Sequence, residues 1–125
     1  MEDLTVEAII SLHSRIIERT GGDSRVLSEA TLHQLVLNAT MIPQYVKRAA
    51  FVFWFLCAYP AFRDGNTQAA LAVASRVLES AGYRLTVTRD EDAALADGIA
   101  ACTIEPDDIE KRLMASVRND CRENG

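Results

Sequence analysis

The segment that decides the fold of this chain runs from Tyr59 to Leu71 and has the sequence Tyr-Pro-Ala-Phe-Arg-Asp-Gly-Asn-Thr-Gln-Ala-Ala-Leu. It lies between two stretches with helical patterns, and its turn Asp64-Gly65-Asn66 falls where the second of these helices should begin. A turn that opens a helix presents free backbone N–H groups and the positive end of the helix dipole, which suit an anion such as phosphate. The segment contains no His, and the residues that follow Asn66 are uncharged. The sequence therefore predicts a place for an anion without the groups that would make it reactive.

Two amphipathic helices are predicted upstream of this segment. Thr5 is suited to cap the first, which we expect over residues 4–20, and Gly21-Gly22 ends it. The residues on its apolar face are Ile9, Ile10, His13, Ile16 and Ile17. Ser28 is suited to cap the second helix after a loop over residues 23–27. Each helix has one apolar face, so both should pack against a common core.

The segment itself joins a third helix to a fourth. The third, over roughly residues 44–58, is apolar almost all round after Arg48, which is typical of a central, buried helix. Its large aromatic residues are predicted to lie in the core; they are Phe51, Phe53, Trp54 and Phe55. Pro60 ends this helix, and the fourth is expected over residues 67–81, with Gly82 closing it.

Downstream, residues 83–88 alternate as a strand does, but no partner strand is obvious, so we expect an extended piece or a very short strand. A fifth helix is predicted from Asp90 to about Cys102. A sixth is predicted to start at the acidic run over residues 105–108. Its inner face would contain Ile109, Leu113 and Val117. The polar tail, residues 118–125, is expected to fray.

These patterns predict an all-α fold, a compact bundle of about six helices around the central third helix, in one domain over residues 1–125. The net charge of −5 argues against nucleic-acid binding, which needs a basic patch. The longest apolar run, residues 49–58, is far shorter than the roughly 20 residues that span a bilayer, and we expect no membrane association. The acidic N-terminus lacks the positive region of a signal peptide, so a cytoplasmic protein is expected.

Three features of the chain match one known family. The second half of the first predicted helix, from Leu12 to Gly22, contains an internal histidine, His13, and ends with Gly21-Gly22. Phe62-Arg63-Asp64-Gly65-Asn66, followed by Ala69-Ala70-Leu71, is similar to a core written His-Pro-Phe-x-Asp-Gly-Asn-Lys-Arg-Thr-Ala. The order of elements matches as well: buried helix, motif turn, long helix, short extended piece and two acid-capped helices. Together these features resemble the Fic/Doc family, in particular its small death-on-curing (Doc) branch, over nearly the whole chain.

The resemblance implies a chemistry and a set of sites. Members of the family transfer part of a nucleoside triphosphate to a hydroxyl of a target protein; most transfer AMP, and the Doc branch transfers a phosphate. By this resemblance Asp64 is the acid that holds Mg²⁺ against ATP, and Gly65 and Asn66 form the anion cradle. Phe62 is the aromatic anchor of the turn. The implied cofactors are ATP and Mg²⁺.

The chain departs from the family at the positions that carry chemistry. Pro60 stands at the position of the catalytic His, and proline has no side-chain proton acceptor. Thr67 and Gln68 stand at the positions of the Lys and Arg, so the implied nucleotide-binding segment, residues 64–68, loses two positive charges and a bidentate phosphate contact. Tyr59 is one position early, and a phenol is a poor base at neutral pH. No catalytic residue is therefore assigned.

The retained motif residues also have structural explanations. Gly65 can supply a positive φ, Asn66 can cap the fourth helix, and Asp64 can cap it too. His13 is expected to be a hydrogen-bonded core histidine. The alternative is that its side chain faces the groove beside the motif. Two His residues, His13 and His33, without a paired spacing do not predict a structural metal site. The cysteines, Cys57, Cys102 and Cys121, are expected to be reduced, with Cys57 in the core.

Three functions remain open from the sequence. The first is a Fic/Doc-type domain without transferase activity that binds a protein partner in the groove beside the motif, as an antitoxin helix docks in the Doc branch; any nucleotide would bind weakly. The second is a divergent nucleotidyl- or phosphotransferase with a base from His13, His33 or Tyr59 and cations from Arg63 or Lys47-Arg48. The third is an oligomeric structural subunit that associates through the apolar third helix.

Overall fold

The computed structural model of the chain describes residues 4–85, 98, 107–111 and 117–119. The elements in these residues are α1 (Val6–Thr20), α2 (Glu29–Thr40), α3 (Tyr45–Ala58), α4 (Asn66–Glu79), β1 (Tyr83–Leu85) and β2 (Val117–Asn119). Residues 107–111 are also helical, as is Gly98. The predicted all-α class is confirmed, since the strands are three residues each.

The predicted helix starts are confirmed by their hydrogen bonds. The Oγ1 atom of Thr5 accepts a hydrogen bond from the backbone N–H of Ala8 at 3.1 Å, and the Oγ atom of Ser28 accepts one from Thr31 at 3.2 Å. Each bond satisfies one N–H group that has no partner within its helix. At the other end of α1, the backbone N–H of Gly21 donates to the carbonyl of Ile17 at 2.8 Å.

The core forms around α3, which packs mainly along α4 and more lightly against α2. Phe53 and Phe55 of α3 are buried as predicted, whereas Phe51 and Trp54 are only half-buried and pack at the edge of the core. Cys57, which was predicted to be in the core, is half-buried as well. One side of α3 is therefore buried against α2 and α4. On its outer side, the rings of Trp54 and Phe55 contact the exposed ring of Tyr59.

One element downstream corrects the sequence interpretation. The prediction that Val117 continues the sixth helix is wrong: Val117 lies in β2 and pairs with Leu85 of β1 in an antiparallel register. Its helical spacing from Ile109 did not decide its structure, because the extended residues after α4 need a backbone partner and β2 supplies it. Arg118 and Asn119 complete the strand, so the prediction of a frayed tail from residue 118 is wrong for these two residues. Ile109 is fully buried, as predicted.

Several predictions fall outside the described part of the chain. They concern most of the fifth helix, over residues 90–102, as well as Leu113 of the sixth helix, the thiols of Cys102 and Cys121, and the end of the tail. Within the described residues, no helix is both long enough and apolar enough to cross a lipid bilayer.

Candidate functional site

The segment between α3 and α4 is held by backbone pairing with the loop between α1 and α2. The N–H of Leu27 donates to the carbonyl of Ala61 at 2.7 Å, and the N–H of Arg63 donates to the carbonyl of Arg25 at 3.0 Å. Val26 and Phe62 form an antiparallel bridge between these two bonds. These backbone contacts alone attach the motif segment to the loop that leads into α2.

His13 of α1 supports this turn from inside the protein. Its ring is 1% exposed and lies nearly parallel to the ring of Phe62, with 3.6 Å between the two centroids. Its Nε2 atom is 2.6 Å from the carbonyl oxygen of Asp64. A carbonyl oxygen only accepts, so Nε2 carries the hydrogen and donates it. His13 is a hydrogen-bonded core histidine as predicted, and it holds the turn at the same time.

Asp64 does not cap α4, so that prediction is wrong. Its Oδ2 atom instead accepts a hydrogen bond from the backbone N–H of Asp23 at 2.8 Å, across to the end of α1. Gly22 favours this approach, because a Cβ atom there would crowd the Cβ of Asp64 at 3.3 Å and its φ of 117° is rare for residues with side chains. The Gly-Gly end of α1 thus has a second role beyond ending the helix, which is to let the motif turn come close.

Asn66 does not cap α4 either, which corrects the second capping prediction. It is the first residue of α4, and its amide is turned back onto the segment. Its Oδ1 atom accepts from the backbone N–H of Phe62 at 3.1 Å, and its Nδ2 atom donates to the carbonyl of Phe62 at 2.8 Å. Both functions of the amide are therefore used to close the turn around the buried Phe62.

Gly65 is the N-cap of α4, with φ 75° in the left-handed region, as predicted for a residue without a side chain. A Cβ atom there would lie 3.2 Å from Cδ1 of Ile17 and 3.5 Å from Nε2 of His13. Among the described residues, no side chain caps the N–H groups at the start of α4, and the first turn of α4 has no acidic residue. These uncapped N–H groups are the feature on which the prediction of an anion cradle depends.

The charges around the turn are already paired with one another. Asp23 lies 3.7 Å from Nε of Arg63 and 3.8 Å from Nη2 of Arg25, with both arginine side chains more than half exposed. Asp23 also accepts a hydrogen bond from the backbone N–H of Arg25 at 2.8 Å. With Asp64 included, these four charges sum to zero. The sequence analysis missed Asp23 and Arg25; the Gly-Asp pair after α1, a common turn sequence, could have drawn attention to them.

The structure places no charged side chain at the three positions where the resemblance implies a catalytic His, a Lys and an Arg. Pro60 is exposed, Thr67 is half-buried, and Gln68 is exposed, and none of these side chains can carry a charge. Of the other basic residues considered, Arg48 is buried and its Nε donates to the carbonyl of Ile42 at 2.8 Å. Within the described residues, no cluster of three or more metal-binding side chains is present. The turn therefore fits Mg²⁺ and ATP poorly, because the carboxylate of Asp64 is bound by the backbone of Asp23, and Thr67 and Gln68 supply no positive charge for the phosphates.

A pocket of about 430 Å³ lies between the start of α2 and the end of α3. Its lining residues are Ala30, Thr31, Gln34, Phe55 and Tyr59. The ring of Tyr59 is half exposed and lies 5.1 Å from that of Phe55 and 5.8 Å from that of Trp54, measured between centroids. Apart from Tyr59, sequence analysis gave no sign of this pocket, because its walls come from two separate helices.

Comparison of the chain with models of known protein families finds no match, and neither does comparison with curated proteins.

Proposed function

We propose that this protein is a Fic/Doc-like domain that has lost the family's transfer of nucleotide or phosphate to protein hydroxyls and serves as a protein-binding module. The observation that carries the proposal is the use of Asn66, whose amide is spent on both backbone groups of Phe62. A cradle for phosphate needs donors aimed at the ligand. Here the polar side chain nearest the start of α4 is turned away from that position.

Two further contacts support the same conclusion. The carboxylate of Asp64 is bound by the backbone of Asp23, and its carbonyl is bound by His13. The turn is thus kept by contacts that serve the fold, which explains its retention without any catalytic role. Pro60 offers no proton acceptor at the position where the target hydroxyl would be activated.

The binding surface in this proposal is the pocket beside Tyr59. Its wall is mostly apolar, formed by Phe55, Tyr59 and Ala30, with Thr31 and Gln34 as the polar groups. Such a groove between two helices suits an amphipathic helix whose apolar residues recur at i, i+3, i+4 and i+7. In the Doc branch the docking segment is an antitoxin helix, and the resemblance extends a partner of that kind to this chain.

A divergent transferase is the second candidate. It is favoured by the two exposed guanidinium groups of Arg25 and Arg63, which lie beside Asp23 at the edge of the turn. Any such enzyme must still find a group to accept the proton of the target hydroxyl. His13 does not suit this role, because it is 1% exposed and its Nε2 hydrogen is donated to Asp64.

The test uses ATP labelled at the α-phosphate in one sample and at the γ-phosphate in another. The purified protein is incubated with Mg²⁺ and each label in a lysate of its source organism, so that AMP transfer and phosphate transfer are both detected. We expect no protein to acquire either label above a control without the protein. Labelling that is abolished by Asp64→Ala would overturn the proposal in favour of the transferase.

A further inference from the structure

Arg25 and Arg63 lie directly opposite each other in the short backbone ladder between the motif segment and the loop before α2. The bridge between Val26 and Phe62 is antiparallel, so Arg25 and Arg63 form the next pair, and the N–H of Arg63 donates to the carbonyl of Arg25 at 3.0 Å. Side chains directly opposite in such a ladder project to the same face, where like charges repel each other. We call these two residues the arginine pair.

The arginine pair is exposed and shares one carboxylate oxygen. Oδ2 of Asp23 lies 3.8 Å from Nη2 of Arg25 and 3.7 Å from Nε of Arg63, and the two arginine side chains are 67% and 59% exposed. Both distances are longer than a hydrogen bond, and each guanidinium group has five N–H donors. Among the residues that the structure describes, no acceptor lies within hydrogen-bond distance of either group. The pair therefore has donors to offer to a ligand.

The ion pairs of this cluster leave one positive charge unbalanced. Asp23 supplies one negative charge against two guanidinium groups, which stay protonated. The carboxylate of Asp64 is nearby, but its Oδ2 accepts from the backbone N–H of Asp23, and among the described residues it forms no ion pair with either arginine. A single carboxylate from outside would balance the remaining charge and accept from both guanidinium groups at once.

The same charges favour a carboxylate over a phosphate. A phosphate monoester carries a charge of about −1.5 to −2 at neutral pH, which exceeds the one unbalanced positive charge. Asp23 is held beside the arginines, because its Oδ1 accepts from the backbone N–H of Arg25 at 2.8 Å. A phosphate would therefore meet the repulsion of that carboxylate as well.

Two neighbouring features indicate that the carboxylate belongs to a protein. Leu27, two residues after Arg25, is 57% exposed, so the ligand needs an apolar group beside its acid. Tyr59, which lines the pocket, precedes Arg63 by four residues, so their Cα atoms are at most about 14 Å apart. A helix of three turns is about 16 Å long, so a helix in the pocket also reaches the arginine pair.

We propose that the arginine pair binds the carboxylate of an Asp or Glu side chain on a protein partner, as a second contact beside the pocket. The proposal rests on the proposed function, because it states the charge of the partner that occupies the pocket. The partner's acidic residue would lie within about three helical turns of the apolar residues that enter the pocket.

Acetate, the simplest carboxylate, is the first probe. The full chain is labelled with ¹⁵N, and the Nε–Hε signals of its arginines are followed by NMR while sodium acetate replaces sodium chloride at constant ionic strength. We expect saturable shifts for Arg25 and Arg63 with a Kd of about 30 mM, because the charge-assisted bonds form in an exposed place. Arg15, an exposed residue of α1, is the internal control and should show no saturable shift. Acetamide, the uncharged analogue, should shift none of these signals.

Substitution separates binding from a structural role. Arg63→Gln should weaken acetate binding at Arg25 by about tenfold or more, since Asp23 already balances the one guanidinium group that remains. Arg15→Gln is the matched control and should leave the Kd unchanged. The melting temperature of Arg63→Gln should stay within about 2 °C of the natural value, because exposed ion pairs contribute little to stability. A fall of more than about 5 °C would assign the pair a structural role and overturn the proposal.

A pair of synthetic peptides tests the link to the pocket. Both are helical, about 16 residues long, with leucines at i, i+3, i+4 and i+7; one has a Glu about two turns from the last leucine, and the other has Gln there. The Glu peptide should bind at least about five times more tightly than the Gln peptide, and Arg63→Gln should abolish the difference. Equal affinities for the natural protein, including no binding by either peptide, would overturn the proposal.

Three further results would overturn it. They are acetate shifts that do not saturate, an equal response at Arg15, and acetate binding that survives Arg63→Gln. Inorganic phosphate that saturates the same two signals at a concentration at least about ten times lower than acetate would reassign the pair to phosphate, which also contradicts the proposal. Label transfer from ATP would refute the proposed function without changing the acetate titration, so the two failures are distinguishable.

Discussion

The ring of His13 in α1 lies parallel to the ring of Phe62 in the motif segment, with 3.6 Å between the centroids and 8° between the planes. The same His13 donates from Nε2 to the carbonyl of Asp64, two residues further on. One buried side chain therefore fixes both the aromatic anchor and the turn that follows it. The shape of the motif depends on α1 as much as on its own sequence.

Replacing His13 should separate its two contacts. His13→Phe keeps a ring against Phe62 but removes the donor to Asp64, and we expect it to lower the free energy of unfolding by about 1–3 kcal/mol. His13→Ala also removes the ring and should cost about 2 kcal/mol more, because it leaves a cavity. Urea unfolding of both variants measures the difference.

The exposed His33 provides the control, since His33→Ala should change the free energy of unfolding by no more than about 0.5 kcal/mol. A His13→Phe variant as stable as the natural protein would mean that the hydrogen bond to Asp64 does not hold the turn.

Asn66 should behave as a structural residue in mutation. Asn66→Ala leaves the buried N–H and carbonyl of Phe62 without partners, which should cost about 2–4 kcal/mol of unfolding free energy. Asn66→Asp keeps the acceptor for the N–H but places a carboxylate oxygen against the carbonyl, so it should destabilise the protein by a similar amount. Thermal or urea unfolding measures both.

The control here is Gln68→Ala, an exposed position in the same first turn of α4, which should be nearly neutral. If Asn66→Ala unfolds at the same denaturant concentration as the natural protein, the amide is free for another purpose and the proposed function loses its main support.

Gly65→Ala tests how closely α1 approaches the turn. The φ of 75° and ψ of 22° at Gly65 lie in the left-handed region, where an alanine is strained by about 1–2 kcal/mol. The added methyl group would also meet Cδ1 of Ile17 at 3.2 Å and Nε2 of His13 at 3.5 Å.

Gly65→Ala should therefore lower the free energy of unfolding by more than about 2 kcal/mol, which combines the backbone strain with the crowding against α1, as measured by urea unfolding. A loss of no more than about 1 kcal/mol would show that the turn can move away from α1 without cost.

Substitutions of Asp64 test whether its carboxylate has a structural role or binds a metal ion. Asp64→Asn retains an oxygen that can accept from the N–H of Asp23, so its unfolding free energy should stay within about 0.5 kcal/mol of the natural value. Asp64→Ala loses the bond and should cost about 0.5–1.5 kcal/mol. Adding Mg²⁺ should raise the melting temperature of neither the natural protein nor the variants. Stabilisation by Mg²⁺ that is lost in Asp64→Asn would instead identify a metal site.

Local sequence signals predicted most of the helical framework. Thr5 and Ser28 are in place as caps because a capping bond depends on residues only three positions away. Gly65 was assigned correctly for the same reason, since a positive φ is a local demand.

Features that depend on distant parts of the chain could not be predicted in this way. Asn66 could satisfy either the N–H groups of α4 or the backbone of Phe62 four residues earlier; both options are local, and the sequence does not show that Phe62 is held in place by the ring of His13 on α1. Val117 has the spacing of a helix face but pairs with Leu85, since the short strand at β1 needs a partner. The pocket beside Tyr59 belongs to the same group, because its walls meet only after α2 and α3 have packed.

Calorimetric titration of the natural protein with ATP and Mg²⁺ tests the central claim most directly, namely that the motif turn is kept for the fold and not for a nucleotide. The comparison is the variant with Pro60→His, Thr67→Lys and Gln68→Arg, which restores the missing groups. We predict no saturable binding to the natural protein below about 1 mM, and binding at least about ten times tighter in the restored variant. A natural protein that binds ATP and Mg²⁺ with a Kd of about 10 µM, and loses that binding in Asp64→Ala, would contradict the account.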